Sequence, residues 1–295
     1  MVNCTFQGNS GRAIFNWVEF EGQSNPQLIN CSFQGNSGGA MHNRAINEAG
    51  SISSQLTNCA FFNNGAGSTF TSEVANGGTA AVNATYSIFD TTVTNYGNSP
   101  TNLTTAGNPF TSTSSMQLAP CSDAINAGNN STVPANLTTD IIGNPRFYNS
   151  GTVDMGAFEF QAEKPTNPTN GGEIDGDQNI CYGELPDSFT SNSLPTGSVG
   201  TLEYQWQSST TGSSSGFENI SLATSTTYAP GALTQSTWYR RLSKISCATT
   251  WPAAGISNVI KITVYDDFTP GTIAAEGETI CYNTNPVDAI GNVTT

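Results

Sequence analysis

Apolar and polar residues recur along the first part of the chain with a period of 27 or 28 residues. Phe6, Phe33, Phe61 and Phe89 keep this spacing, and the phrase NC-F-QGNS surrounds the first two of them. Residues 1–112 contain no apolar stripe with helical periodicity. A fixed period of this length indicates a repeat architecture in which each unit contacts its neighbours in sequence.

The repeat also assigns side chains to faces, because successive side chains of a strand alternate between two faces. One face collects two columns, Cys4, Cys31 and Cys59 together with Phe6, Phe33, Phe61 and Phe89. The opposite face is polar until its last row, where Tyr86 and Ile88 stand. Parallel strands paired in register at about 4.8 Å would stack these columns. We therefore expect an all-β solenoid of the parallel β-helix type, with the columns in its core.

Asparagine recurs with the same period. Asn9, Asn36 and Asn64 each follow a phenylalanine by three residues. We expect a turn there, since asparagine and glycine tolerate left-handed backbone. Stacked asparagines can also hydrogen-bond amide to amide, so we expect a ladder along the repeat axis.

Several phrases resemble a known family. FQGN, FFNN, GGAM and GRAI resemble the FxxN and GGA[ILV] repeats of polymorphic outer-membrane-protein-type β-helices, which belong to the pectin-lyase-like superfamily. LAPCSDAINAGNN, DIIGNPRF and GTVDMGAFEF resemble the closing segment of bacterial surface β-helix proteins. The last coil departs from the pattern, with FDTT in place of FxxN. The resemblance implies a right-handed parallel β-helix over 1–112 and a C-terminal cap over 113–160, which would cover an open strand edge.

The second half of the chain has a different pattern. Residues 161–170 are rich in proline and read as a linker, and residues 171–266 contain short alternating strands separated by turn-rich stretches. This pattern predicts an immunoglobulin-like β-sandwich with Trp206 in its core. Cys181 and Cys247 flank Trp206 in sequence. They are candidates for a disulfide worth about 4 kcal/mol, and two free thiols are the alternative.

A second, longer sequence repeat relates the start of the predicted sandwich to the last residues of the chain. The phrase around Cys181 returns 100 residues later around Cys281, so residues 267–295 are predicted to begin a second, truncated sandwich. QNICYG, YQWQSS, TYAPGALTQSTWYRR and SNVIKITVY resemble the tandem immunoglobulin-like repeats of giant adhesins from bacteria that use type IX secretion. The resemblance implies a larger cell-surface protein.

The amino-acid composition of the chain limits the classes of molecule that it is expected to bind. The formal net charge is −14, and only 10% of the residues are charged. The negative charge disfavours nucleic acid and anionic membranes as partners. No apolar run approaches the ~20 residues of a membrane span. The chain contains no recognisable signal peptide and starts inside a coil, so we expect it to be an internal piece of a longer protein.

The first 160 residues contain few side chains that are suited to catalysis. Residues 1–160 contain no lysine, and their aspartates are widely spread, whereas lyases of this superfamily need a basic residue and glycosidases need paired carboxylates. The single histidine, His42, stands one repeat after Phe15, and we interpret it as a packed or surface residue. We predict no catalytic, cofactor-binding or metal-binding residues and no cofactor.

Two functions fit these observations. The first is part of a secreted or surface-attached bacterial adhesin, extracellular and monomeric, with carbohydrate or another cell surface as its partner. The second is the accessory C-terminal part of a carbohydrate-active β-helix enzyme whose catalytic coils lie upstream. An acid cluster in upstream coils would favour the enzyme, and further 100-residue repeats downstream would favour the adhesin.

Overall fold

The computed structural model describes residues 1–46, 50–65 and 69–265. The chain divides into two compact units, of which the first is Met1–Thr166 and the second begins at Asn167. The described residues contain β-strands and three single-turn 3₁₀ helices, Asn130–Thr132, Tyr148–Ser150 and Ala253–Gly255. No helix among them is long and apolar enough to cross a membrane. The protein is therefore all-β over its described length.

The described part of the first unit contains twelve strands. They are β1 (Thr5–Gln7), β2 (Ile14–Glu19), β3 (Gln23–Ser24), β4 (Gln27–Ile29), β5 (Ser32–Gln34), β6 (Met41–Ile46), β7 (Ser51–Thr57), β8 (Ala60–Phe62), β9 (Phe70–Val74), β10 (Thr79–Thr85), β11 (Ile88–Asp90) and β12 (Leu103–Thr105). The first sheet has the order β1-β5-β8-β11-β12, and the second has the order β2-β6-β9. The third has the order β10-β7-β3, with β4 also paired to β7.

All strand pairs in these three sheets are parallel, and the chain visits the sheets in turn. It passes from the first sheet to the second and third and then returns one strand further along the first. The register follows the sequence period, since Phe6 pairs with Phe33 and Phe33 pairs with Phe61. Each circuit of the three sheets thus corresponds to one sequence repeat.

The phenylalanine column stacks in the core of the first unit. The ring centroids of Phe6 and Phe33 are 4.6 Å apart, those of Phe33 and Phe61 are 4.6 Å apart, and those of Phe61 and Phe89 are 5.1 Å apart. The spacing equals the distance between neighbouring strands, because one ring comes from each strand of the first sheet. Phe33, Phe61 and Phe89 are completely buried.

The asparagine column forms the predicted ladder. The Asn9 side-chain amide donates to Asn36 Oδ1 at 2.7 Å, and the Asn36 amide donates to Asn64 Oδ1 at 2.7 Å. The left-handed turn residues, however, are Gly8, Gly35 and Asn63, each one position earlier than predicted. The asparagine side chains point inward because the preceding residue makes the turn.

The closing segment, residues 113–160, covers the outer face of the first sheet. The Ala157 N–H donates to Ser32 Oγ at 2.9 Å, and the Asn30 amide donates to the Asp154 carbonyl at 3.3 Å. Gly156 has φ +113°, and a Cβ there would lie 2.8 Å from Ser32 Oγ, so the close approach requires glycine. The segment lies along the whole sheet, reaching β1 through the Gln7–Thr113 hydrogen bond, rather than over the last coil alone.

The second unit is described from Asn167 to Tyr265. Its strands are β13 (Glu173–Asp175), β14 (Gln178–Cys181), β15 (Thr190–Ser193), β16 (Leu202–Ser209), β17 (Glu218–Asn219), β18 (Thr237–Ile245) and β19 (Ile260–Tyr265). Five strands form a sheet of order β14-β19-β18-β16-β17, in which only the β14–β19 pair is parallel. β13 and β15 form a separate antiparallel pair.

Trp206 lies in the core of the second unit, as predicted. It is completely buried, contacts the ring of Phe189, and donates its indole N–H to the Ser225 carbonyl at 2.9 Å. The side-chain N–H is therefore satisfied inside an apolar cluster, as burial of a tryptophan requires. The predicted second sandwich, residues 267–295, lies outside the described residues, and so does Cys281.

The predicted disulfide between Cys181 and Cys247 is wrong. Cys181 is an exposed free thiol, whereas Cys247 and Cys121 are disulfide-bonded. The reason is strand parity in β14, where Ile180 points into the core and Cys181 therefore points outward. Cys247 follows the end of β18 in a turn. The order of cysteine, tryptophan and cysteine in the sequence does not bring the two thiols together.

Candidate functional site

Two rows of side chains lie on the outer face of the second sheet. Each row contains one side chain from each of the three strands. Phe15, His42 and Thr71 form the first row, and Trp17, Arg44 and Glu73 form the second, as the strand register shows. We call these six residues the aromatic face. Phe15 is 51% exposed and Trp17 is 55% exposed. Large exposed rings on a rigid sheet are a common feature of recognition surfaces.

Contacts across the first row fix its side chains. The His42 ring stacks on Phe15 with centroids 5.1 Å apart, and His42 Nδ1 lies 2.7 Å from Thr71 Oγ1. Arg12 Nε donates to the same hydroxyl at 3.2 Å. Burial lowers the pKa of His42 below its ordinary value, and the positive charge of Arg12 adds to the effect. The imidazole is therefore neutral at pH 7 and serves as a packed support for Phe15.

The second row combines an exposed ring with an ion pair. The Arg44 guanidinium lies 5.3 Å from the centre of the Trp17 ring, and its Nε is 3.2 Å from Glu73 Oε2. Glu73 is also 3.9 Å from His42 Nε2. Arg44 thus holds Glu73 on one side and Trp17 on the other. The result is an exposed ring beside donors and acceptors fixed in position.

The sequence analysis did not identify this surface, although the signal is present. In β2 the buried residues are Ile14 and Val18, and Phe15 and Trp17 occupy the outward positions next to them. Outward positions of a solvent-exposed sheet are normally polar. Two aromatic residues at those positions, in register with the histidine and an arginine one repeat later, are the sequence signal that would have located this surface.

The cysteine column lies in the core and forms no disulfide. Cys31 and Cys59 are completely buried free thiols, and Cys4 is half-buried. Each thiol donates to the carbonyl two residues before it at 3.3 Å. Burial raises the pKa of Cys59 well above its ordinary value, so this thiol stays protonated at neutral pH. The column fills the core and exposes no nucleophile at Cys31 or Cys59.

The closing segment contains a buried ionic cluster of Asp140, Arg146, Asp154 and Glu159, none of them more than 5% exposed. Arg146 Nη2 donates to the Gly156 carbonyl at 2.6 Å, and its Nε lies 3.8 Å from Glu159 Oε2. Burial, together with the negative charge of Asp154, raises the pKa of Glu159 to about 8. Burial also raises the pKa of Asp154 to about 6.

The carboxylates of this cluster accept hydrogen bonds from backbone amides. Asp154 accepts from the N–H groups of Asn126 and Phe160 at 2.7 and 2.6 Å, and Glu159 accepts from the Asp154 N–H at 3.1 Å. Asp140 accepts from the Glu159 N–H at 3.1 Å. These bonds join successive turns of the closing segment. The acids therefore hold the segment in its folded form, and no three metal-ligating side chains in the described residues are grouped to hold an ion.

One protein-family model matches part of the chain. Residues 170–266 match the family described as a domain of unknown function, DUF8696. No curated protein matches the chain. No solved structure matches it either. The matched range covers the described part of the second unit from Asn170 onward and includes all of its described strands.

Proposed function

We propose that the chain is part of a secreted or surface-attached bacterial adhesin. In this proposal the first unit is a right-handed parallel β-helix of the pectin-lyase-like type, and the second is an immunoglobulin-like repeat. The three parallel sheets visited in turn, with one sequence repeat per circuit, support the first assignment. The antiparallel strands around buried Trp206 support the second.

The disulfide bonding of two cysteines agrees with an extracellular location. Cys121 and Cys247 are disulfide-bonded, and disulfides persist mainly in oxidising compartments. The free thiols Cys31 and Cys59 are buried in the core, where oxidants do not reach them. The low content of charged residues, 10%, fits an extracellular scaffold whose surface is rich in uncharged polar residues.

We assign carbohydrate binding without catalysis to the first unit, and the exposure of Phe15 and Trp17 is the observation that carries it. The C–H groups on one face of a sugar ring pack on an aromatic ring, and its hydroxyls need donors and acceptors at the edge of that ring. Arg44 and Glu73 supply both beside Trp17. Their opposite charges suit a neutral sugar rather than a charged one.

Binding to an array of immobilised neutral oligosaccharides tests the proposal. Trp17→Ala and Phe15→Ala should each weaken binding of any recognised glycan at least tenfold, because each removes one stacking platform. Phe20→Ala is the matched control, since Phe20 is 65% exposed but lies beyond β2 and outside both rows. This control should bind as the wild type does. Absence of binding to every glycan, or equal binding by Trp17→Ala, would refute the assignment.

A further inference from the structure

In the described part of the second unit, the cations that are not fully buried lie on one face of the five-stranded sheet, where Lys261 is exposed and Arg240 and Lys244 are half-buried. Its four cationic residues in the described range are Arg240, Arg241, Lys244 and Lys261. Arg241 is completely buried, and the other three alternate with buried residues on β18 and β19, so they share the outer face. We call this surface the cationic face. The same range contains seven acidic residues, Glu173, Asp175, Asp177, Glu184, Asp187, Glu203 and Glu218.

Each of the three cations lies over an aromatic ring. Lys261 Nζ is 5.3 Å from the centre of the Trp238 ring, and Arg240 Cζ is 4.1 Å from the centre of the Phe217 ring. Lys244 Nζ is 5.2 Å from the Trp251 ring. Cation–π contacts restrict the long basic side chains, so less conformational entropy is lost when they bind an anion.

Two of the three cations remain without an ion-pair partner in residues 167–265. Lys244 is neutralised by Glu203, whose Oε2 is 2.8 Å from its Nζ. Arg240 Nε donates to Gln207 Oε1 at 2.7 Å, and its terminal amino groups have no described partner. Asp177 Oδ1 accepts from the Lys261 backbone N–H at 2.5 Å, and no ion pair within residues 167–265 involves the Lys261 ammonium. Among residues 167–265, no acid neutralises Arg240 or Lys261, so these are the two cations left for an external anion.

The strand register places these two cations on either side of one ring. Trp238 and Lys261 are direct partners across β18 and β19, and Arg240 follows Trp238 by two residues on the same face. That separation is about 7 Å along the strand. A shallow cavity of about 300 Å³ adjoins Lys261 and is lined also by Asp177, Gln178, Asn179 and Thr263. The surface thus presents a cation, an aromatic ring and a second cation in sequence.

We propose that the cationic face binds an acidic polysaccharide through sugar rings that bear carboxylates. A carboxylate forms strong hydrogen bonds with the Arg240 guanidinium or the Lys261 ammonium. The apolar face of the same sugar ring packs on Trp238. A sulfate group without a stacked ring, or an acidic peptide, would use the cations and leave Trp238 unused. This surface is separate from the aromatic face of the first unit and independent of the neutral-sugar assignment.

Affinity electrophoresis of the whole chain through gels containing polygalacturonate tests the proposal, with dextran as the neutral polymer. Salt of 0.1 M screens the remote acidic residues over about 10 Å. Wild-type protein should be retarded by polygalacturonate and not by dextran. Arg240→Gln and Lys261→Gln should each weaken retardation at least fivefold, and Trp238→Ala should do so by a similar factor.

Three controls decide the interpretation. Lys244→Gln removes the same charge from the same face, but from a cation that Glu203 already neutralises, so it should change retardation less than twofold. Trp17→Ala should have no effect, which separates this surface from the aromatic face. Equal losses for all three cation variants, no retardation of the wild type, or equal binding of poly-glutamate by the wild type would each refute the proposal. Self-association of the wild type that Arg240→Gln abolishes would instead identify a second copy of the chain as the occupant.

Discussion

The asparagine ladder makes Asn36 a sensitive point in the first unit. Asn36 is completely buried, and its side-chain amide donates to Asn64 Oδ1 at 2.7 Å and to the Phe6 carbonyl at 3.0 Å. Its Oδ1 accepts from the Asn9 amide at 2.7 Å. The substitution Asn36→Asp changes no shape and replaces the donating amide with an oxygen. Two hydrogen bonds then become oxygen–oxygen contacts.

The magnitude follows from these contacts. Each lost hydrogen bond weakens the fold by about 1 kcal/mol, and a buried carboxylate without a cation costs several more. We expect the free energy of unfolding to fall by about 3–5 kcal/mol at pH 7. The facing oxygens and burial should raise the folded-state pKa of the new carboxyl above its unfolded value of about 3.9. The protonated acid restores one donor, so the loss should shrink as the pH falls towards that unfolded value.

Hydrogen exchange of the β5 and β8 amides, read by mass spectrometry, measures this effect in the first unit alone. Protection should drop in Asn36→Asp at pH 7 and recover in part at pH 5, after correction for the intrinsic exchange rate. Asn9→Asp is the matched control, because Asn9 is exposed at the end of the ladder, and its effect should stay below about 1 kcal/mol. Equal protection in Asn36→Asp and wild type would refute the view that the ladder is a stabilising network.

Three further predictions address the core, the buried acids and the thiols. Phe33→Ala should lower the free energy of unfolding by about 3–5 kcal/mol in urea titrations. Phe6→Ala should lower it by less, because Phe6 is half-buried and, among the described rings, stacks on Phe33 alone, whereas Phe33 stacks on two. Glu159 has its folded-state pKa raised to about 8 from 4.5, so its contribution is full below pH 4.5 and is lost as the pH rises through 8. Calorimetry should therefore show the Tm of the first unit falling between pH 5 and 8.5, and less steeply in Glu159→Gln; equal slopes would contradict the assignment. Native alkylation followed by peptide mapping should label Cys181, leave Cys31 and Cys59 unlabelled until unfolding, and leave Cys247 unlabelled until reduction. Labelling of Cys247 without reduction would contradict the disulfide.

The repeating core could be derived from the sequence. The period of 27 or 28 residues, combined with the alternation of side chains, predicted the stacking of Phe6, Phe33, Phe61 and Phe89 and the amide bonds between Asn9, Asn36 and Asn64. The physical reason is that parallel strands in register bring equivalent positions of successive repeats together. Contacts of this kind can therefore be predicted from the spacing of the repeat alone.

The tertiary structure decided the contacts that have no such spacing. The outward residue Ser32 is buried because a segment more than a hundred residues later lies on it, and no period relates Ser32 to Ala157. Cys181 was predicted beside Cys247, but the parity of a four-residue strand turns it to the solvent. The raised pKa of Glu159 depends on burial, which one sequence does not reveal. Periodic contacts follow from local pattern, whereas contacts between distant, non-equivalent segments depend on how the whole chain packs.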